Sequence, residues 1–398
     1  MIGIIKTDED YQVAIARIEE LMDFNPVPDS DEEKELELLS MLVDQYEDKM
    51  YPVEEPDPVD IIKFYMDQNG LKQADMVPYL GSKSKVSEVL NGKRPLSLSM
   101  IRKLHHGLKI SANLLLKEPT RGLPEQEYAW GDYPFAEMVK RGYFGLLEQS
   151  LQEAKDYSEE LLAKLFQVFG GTAPATVHYR KGDSNACKNS LLAWQAKIMQ
   201  ELKKTPPLPA FQPESVGKEF ASTIAKLSFS EYGHRTAVEF LNKKGIHVVF
   251  LEHLPKTYLD GACFWGPDQR PVIGMTLRYE RWDNFWFTLL HELGHAHLHL
   301  KDNNESFFDD IEEMGDATGR EKEANEFARD SLISPVAWKM NRSSLMRSPK
   351  ALAVRNFASR LNVHPGIVAG RIRWEKHNYR ILTKECSAKD LRKQLMSR

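Results

Sequence analysis

The chain has 398 residues, 42% of them apolar, only three cysteines and a formal net charge of −5. That length suggests two or three domains, that apolar share excludes a disordered chain, and no apolar run reaches the roughly 18 residues of a membrane span. The modest net charge hides an asymmetry: residues 1–60 carry 19 Asp/Glu and 4 Lys/Arg, whereas residues 61–120 carry 10 Lys/Arg and 4 Asp/Glu. A basic block is the footprint of a polyanion-binding surface, and an acidic arm beside it repels a polyanion or takes its place. Cys187, Cys263 and Cys386 are too scattered for a disulfide framework, and the N-terminus has no basic flank before an apolar stretch, so a cytoplasmic protein without membrane contact is expected.

In chain order, residues 10–24 and 31–50 repeat apolar side chains at helical spacing, with acid on the outer face of the second run. With the stop NPVPDS between them they predict an acidic helical hairpin, domain 1–57. Residues 58–119 read as a bundle of short helices punctuated by Gly70, Gly81, Gly92 and Gly107, each placed as a helix C-terminus. Within it, KQADMVPYL, a turn at Gly81 and SKSKVSEVLNGKR have the layout of a helix-turn-helix. The second helix of such a unit enters the major groove, so Ser82, Lys83, Ser84, Lys85 and Ser87 are candidate DNA contacts, with Lys93 and Arg94 suited to phosphates.

Residues 120–213 predict a helical connector ending in the proline-rich TPPLPAFQP. Residues 214–345 combine helices, three strand-like runs (IHVVFLE, LDGACFWG, PVIGMTL) and a long apolar helix, and 346–398 are helical again. A second helix-turn-helix spacing, residues 357–374, reads as scaffold packed on the preceding domain.

The strongest motif is HELGH, His291–His295. Residues four apart share a helix face, so both imidazoles can reach one ion, and Glu292 lies beside it as a candidate general base. A Zn2+ ion with three protein ligands keeps one position open and lowers the pKa of water there to about 7. Strands just upstream are expected to supply the edge that aligns a substrate. The third ligand is expected from REKEANEFARDSLISP: Glu321 is favoured, with Asn325 four residues on placed to orient a metal-binding histidine, and Glu323 is the alternative. His297 and His299 are read as a polar end to the helix. Cys263, on a strand bordering the cleft, is a candidate thiolate ligand that would hold the site latent. Tyr279 is one candidate to stabilise an oxyanion.

HELGH followed by E-x-x-A-N-x-F-A (Glu321, Ala324, Asn325, Phe327, Ala328) resembles the ImmA/IrrE family of zinc metallopeptidases over roughly residues 215–345. The resemblance implies a minimal, gluzincin-like zincin with a small sheet, ligands at His291, His295 and Glu321, Glu292 as base, and cleavage of a helix-turn-helix regulator. Residues 1–117, including LGSKSKVSEVLNGKRPLSL, resemble HigA-type antitoxins, which bind operator DNA as dimers and neutralise a toxin. The whole is expected to be a mostly helical α+β protein: a DNA-binding homodimeric regulator fused to a zinc endopeptidase that cuts itself or a related regulator. Exposed hinges at 51–58 or 118–130 are candidate cut sites. The alternative is an antitoxin or repressor whose metal domain does not cleave.

Overall fold

A computed structural model describes residues 4–50, 56–116, 128, 130–145, 150–169, 185–300, 306–309 and 319–396. The hinge candidates 51–55 and 118–127, and the Cys187 side chain, lie outside the described residues. The fold is mostly helical α+β and divides into two compact units, Met1–Pro124 and Glu125–Arg398.

The first unit opens with helices α1 (Asp8–Phe24) and α2 (Asp31–Met50). Thr7 and Asp10 form a reciprocal capping box at the start of α1, and Asn25 ends it in the left-handed region. Ser30 Oγ accepts from Glu33 N to start α2. The two helices share a small core of Ala14, Leu21, Leu39 and Val43, closed by Tyr11 stacked on Tyr46. The two helices therefore pack against each other.

Next come α3 (Pro58–Gln68), α4 (Val77–Leu80), α5 (Lys83–Leu90), α6 (Leu98–Leu108) and α7 (Ala112–Leu115) around Ile62, Met76, Leu80, Val86, Val89 and Leu104. Helix α4 is shorter than its sequence pattern, because Pro78 belongs in a first turn and the helix begins just before it. Gly81 (φ +100°) makes the turn into α5. Gly107 departs from expectation: it lies inside α6, and the left-handed cap is Lys109. Its missing side chain instead lets the Tyr79 ring lie against the helix.

The second unit contains α8 (Phe135–Lys140), α9 (Leu151–Asp156), α10 (Ser158–Phe166), α11 (Asn185–Leu202), α12 (Lys218–Leu227), α13 (Gly233–Lys243), α14 (Trp282–Leu298), α15 (Gly319–Leu332), α16 (Pro335–Arg347), α17 (Ala351–Leu361), α18 (Pro365–Glu375), α19 (Thr383–Cys386) and α20 (Leu391–Met396). Its strands are β1 (His247–Phe250), β2 (Gly261–Trp265), β3 (Pro271–Met275) and β4 (Ser306–Asp309), in the order β1-β3-β2-β4. Strand β3 runs parallel to β1 and antiparallel to β2, and β4 is antiparallel to β2.

The two sheet faces bury separate cores, as the two-residue period of a strand requires. Cys263, Ile273 and Met275 face Phe285, Leu289 and Leu293 of α14. Ala262, Phe264 and Val272 face Trp194 and Ile198 of α11. A Cβ on Gly274 would lie 2.5 Å from the Trp194 ring, so glycine there admits the indole, whose N–H donates to Leu251 O at 3.0 Å. The segment read as a connector thus supplies the sheet's second layer. Helices α17 and α18 pack on each other and α18 on α14, the scaffold role expected of residues 357–374. Among the described residues, no helix is long and apolar enough to cross a membrane.

Candidate metal centre and helix-turn-helix

Helix α14 is buried through Phe285, Trp286, Leu289, Leu290 and Leu293, which holds its central turns rigidly under the sheet. His291, Glu292 and His295 are each at most 1% exposed. His291 Nε2 and His295 Nε2 stand 3.0 Å apart. Glu321, from α15, reaches both: Oε2 is 3.6 Å from His291 Nε2 and Oε1 is 3.5 Å from His295 Nε2. Among the described residues these three form the one cluster of at least three His, Cys, Asp or Glu groups able to hold an ion.

The donor set and its size can be tested against zinc. Bonds of about 2.0–2.1 Å around a tetrahedral ion put neighbouring ligand atoms about 3.3 Å apart. The observed separations of 3.0, 3.5 and 3.6 Å bracket that value, so two imidazoles and a carboxylate fit a small divalent cation.

Glu321 is there because of helix periodicity. The buried stripe of α15 is Glu321, Ala324, Phe327, Ala328, Ser331 and Leu332, and Glu321 begins it in the first turn, where the helix N-terminus favours an anion. Gly294, within the motif itself, lets the two helices approach. A Cβ there would come within 3.1 Å of the Phe327 ring and 3.3 Å of Ala324 Cα.

Glu323, the alternative ligand, points elsewhere: its Oε2 bonds His299 Nε2 at 2.9 Å. His299 does end the helix, its backbone N–H donating to His295 O, but its ring is buried and its Nδ1 lies 3.0 Å from His295 Nδ1. The side chain against His295 is thus His299, while Asn325 borders a cavity of about 140 Å³ with Phe287 and Arg371. Burial pushes the His299 imidazole below its ordinary range, and Glu323 opposes that shift. His297 turns aside, its Nδ1 against Pro213 O at 2.8 Å. Tyr279 lies against the guanidinium of Arg278.

Cys263 requires a correction. It faces α14, as a strand residue bordering the cleft should, but it is enclosed with Ile273, Phe285 and Leu289 and is not part of the cluster. The residue over the candidate base is Gly261, two positions earlier on the same face. A Cβ on Gly261 would lie 2.5 Å from Glu292 Oε1, 2.7 Å from Thr288 Cγ2 and 3.0 Å from Glu292 Cγ. Sequence reading missed Gly261, whose signal was only a glycine at the start of a strand. The sheet edge beside it is also not upstream: Gly261 pairs with Asp309, so the neighbouring edge strand is β4, which follows α14.

In the first unit, Ser82 caps α5 by accepting from Lys85 N, and Lys83, Ser84 and Lys93 are exposed. Lys85 and Ser87 are half-buried, and Ser87 Oγ accepts from Asn91 Nδ2 at 3.3 Å. Ser84 Oγ donates to Glu88 at 2.9 Å. Arg94, expected to face phosphate, instead has its Nε 2.6 Å from Glu88 Oε2. Those bonds from Arg94 and Ser84 hold the Glu88 carboxyl below the usual carboxylate range. Lys83 and Lys93 are the cleaner candidates for a polyanion, because both residues are exposed.

Residues 241–373 match the family model of the IrrE N-terminal-like domain, Peptidase_M78. The match extends past residue 345 through α18, in keeping with the packing of that helix on α14. The chain is also similar to the antitoxin HigA of Escherichia coli and to that of Shigella flexneri. Each is 32% identical over 120 residues, covering 28% of this chain and 83% of the relative. The chain therefore belongs to the HigA antitoxin family through its N-terminal region and carries, fused to it, a metallopeptidase-type IrrE N-terminal-like domain at residues 241–373.

Proposed function

We propose that this chain is a DNA-binding regulator fused to a zinc-dependent endopeptidase, which cleaves itself or a related helix-turn-helix regulator. The observation that carries the reading is the buried group of His291, His295 and Glu321, with the buried Glu292, next to His291 in the chain, lying under Gly261. His291, His295 and Glu321 would hold the zinc, a three-residue donor set of the kind found at catalytic zinc sites. Zinc, when bound, supplies a Lewis acid that polarises a peptide carbonyl and acidifies water to a pKa of about 7. Glu292 takes the proton from the attacking water and returns it to the departing amine. Its burial keeps bulk water from competing for that proton and strengthens its field on the reacting atoms. Among the described residues nothing pairs with the outer edge of β4, so an extended substrate segment would align there by strand addition.

In the N-terminal region Ser82, Lys83, Ser84, Lys85, Ser87 and Lys93 would approach operator DNA, with α5 in the major groove of each half-site of a homodimer. The similarity to HigA supports a second reading, an antitoxin that binds operator DNA and a toxin while its metal domain does not cleave.

The deciding experiment compares wild type with Glu292→Gln. Both should retain zinc, and only wild type should cut itself or a neighbouring regulator under inducing conditions. Equal inertness of the two, with zinc bound, ends the endopeptidase reading in favour of the antitoxin.

A further inference from the structure

The hydrogen-bonded path that leaves the metal group has a direction fixed by chemistry. His295 Nδ1 faces His299 Nδ1 at 3.0 Å, and His299 Nε2 faces Glu323 Oε2 at 2.9 Å. A carboxylate oxygen accepts, so the N–H of His299 sits on Nε2. A neutral imidazole has one N–H, so His299 Nδ1 must accept. The single proton between the two rings therefore belongs to His295 Nδ1. That leaves a lone pair on His295 Nε2, the atom 3.0 Å from His291 Nε2 and 3.5 Å from Glu321. The three-residue path runs from a buried ring to a carboxylate whose side chain is 63% exposed.

We propose that His299 and Glu323 are positioning residues that lock His295 in the tautomer and ring orientation needed to ligate the ion. The assignment rests on the metal reading above. It also accounts for two residues which that reading leaves idle: the last histidine of the HELGHAHLH run, and the glutamate two positions after the third ligand. The ring of His299 is anchored at both ends, and its backbone N–H donates to His295 O, so it moves with the residue it orients. Bonds of this kind to a ligating histidine fix its tautomer and raise its basicity, and losing them costs about 10–100-fold in metal affinity.

The test measures zinc affinity of the full chain by chelator competition, with melting temperature of the zinc-free protein alongside. His299→Phe keeps a ring of similar size and removes the acceptor; its affinity should fall about 10–100-fold. His299→Asn puts an amide oxygen near the position of Nδ1 and should recover part of that loss. Glu323→Gln, at an exposed position, should fold normally and weaken binding several-fold in the same direction. Nitrogen-15 NMR of labelled histidines in the zinc-loaded chain should place the proton on His299 Nε2 and on His295 Nδ1. Wild-type affinity in His299→Phe, or a proton on His299 Nδ1, overturns the proposal. A purely structural role would lower the zinc-free melting temperature without changing affinity, and that result also overturns it. Failure of the underlying metal reading looks different: wild type and His291→Ala would then bind zinc equally poorly.

Discussion

Replacing Gly261 by alanine tests whether the carboxylate of Glu292 must occupy its present place. The new methyl would sit 2.5 Å from Oε1 and 2.7 Å from Thr288 Cγ2. An ordinary contact of about 3.4 Å or more therefore requires the carboxylate to retreat by about 0.9 Å, with a similar shift of the methyl of Thr288. Both side chains are fully enclosed between α14 and the sheet, so the strain has little room to dissipate. Overpacking of this kind costs about 1–3 kcal/mol, and each kcal/mol lowers the melting temperature of a domain this large by about 2–4 °C. A catalytic group displaced by about 1 Å loses about 100-fold in rate. Zinc affinity should remain that of wild type, because the three atoms nearest the new methyl belong to Glu292 and Thr288 and not to a candidate ligand. Calorimetry, chelator competition and the cleavage time course together read all three quantities. A Gly261→Ala protein that melts and cleaves like wild type would refute the argument that the strand holds the base in place.

Three further outcomes follow from other parts of the fold. Trp194→Ala should cost about 3–5 kcal/mol in urea denaturation, because it empties the space under Gly274 and strands the Leu251 carbonyl. A loss below about 1 kcal/mol would mean that α11 is not essential to the sheet. Lys83→Ala with Lys85→Ala should weaken operator binding and lower its salt slope by about 2, whereas Arg94→Ala should leave the slope unchanged because Glu88 already neutralises that guanidinium. His364 gives a pH effect of definite sign: burial pushes its imidazole down to about 4, and its Nδ1 accepts from Gly366 N to cap α18. A depressed folded-state value means that its contribution is complete above the unfolded value of about 6.5 and is lost as pH falls from there toward 4. Wild type should therefore lose up to about 3 kcal/mol more than His364→Asn between pH 7 and pH 4, read by denaturant titration at each pH.

What could be read from the sequence was what depends on short spacings. HELGH needs only the helical repeat to bring two imidazoles to one face, and the stripe beginning at Glu321 needs only the same repeat on a second helix. The relation between those helices was not legible. It depends on Gly294 meeting Ala324 and Phe327, and from it comes the pairing of His299 with Glu323 across 24 residues. The strand residues show the same limit. Parity put Cys263 on the correct face, but the register that sets Gly261 over Glu292 is a property of the assembled sheet and helix. Arg94 looked like a free cation because Glu88, six residues earlier, is brought to it only by the turn that ends α5.

The order of parts along the chain has a consequence for synthesis. His291 and His295 leave the ribosome before β4 completes the sheet, and Glu321 follows 26 residues after His295. A translation product halted in that interval has both imidazoles but lacks the acid that closes the grip on the ion. On the proposed reading, hydrolytic competence is therefore withheld until Glu321 has been made, long after the helix-turn-helix region around Gly81, so a nascent chain would acquire its candidate DNA-reading helices before it could cut.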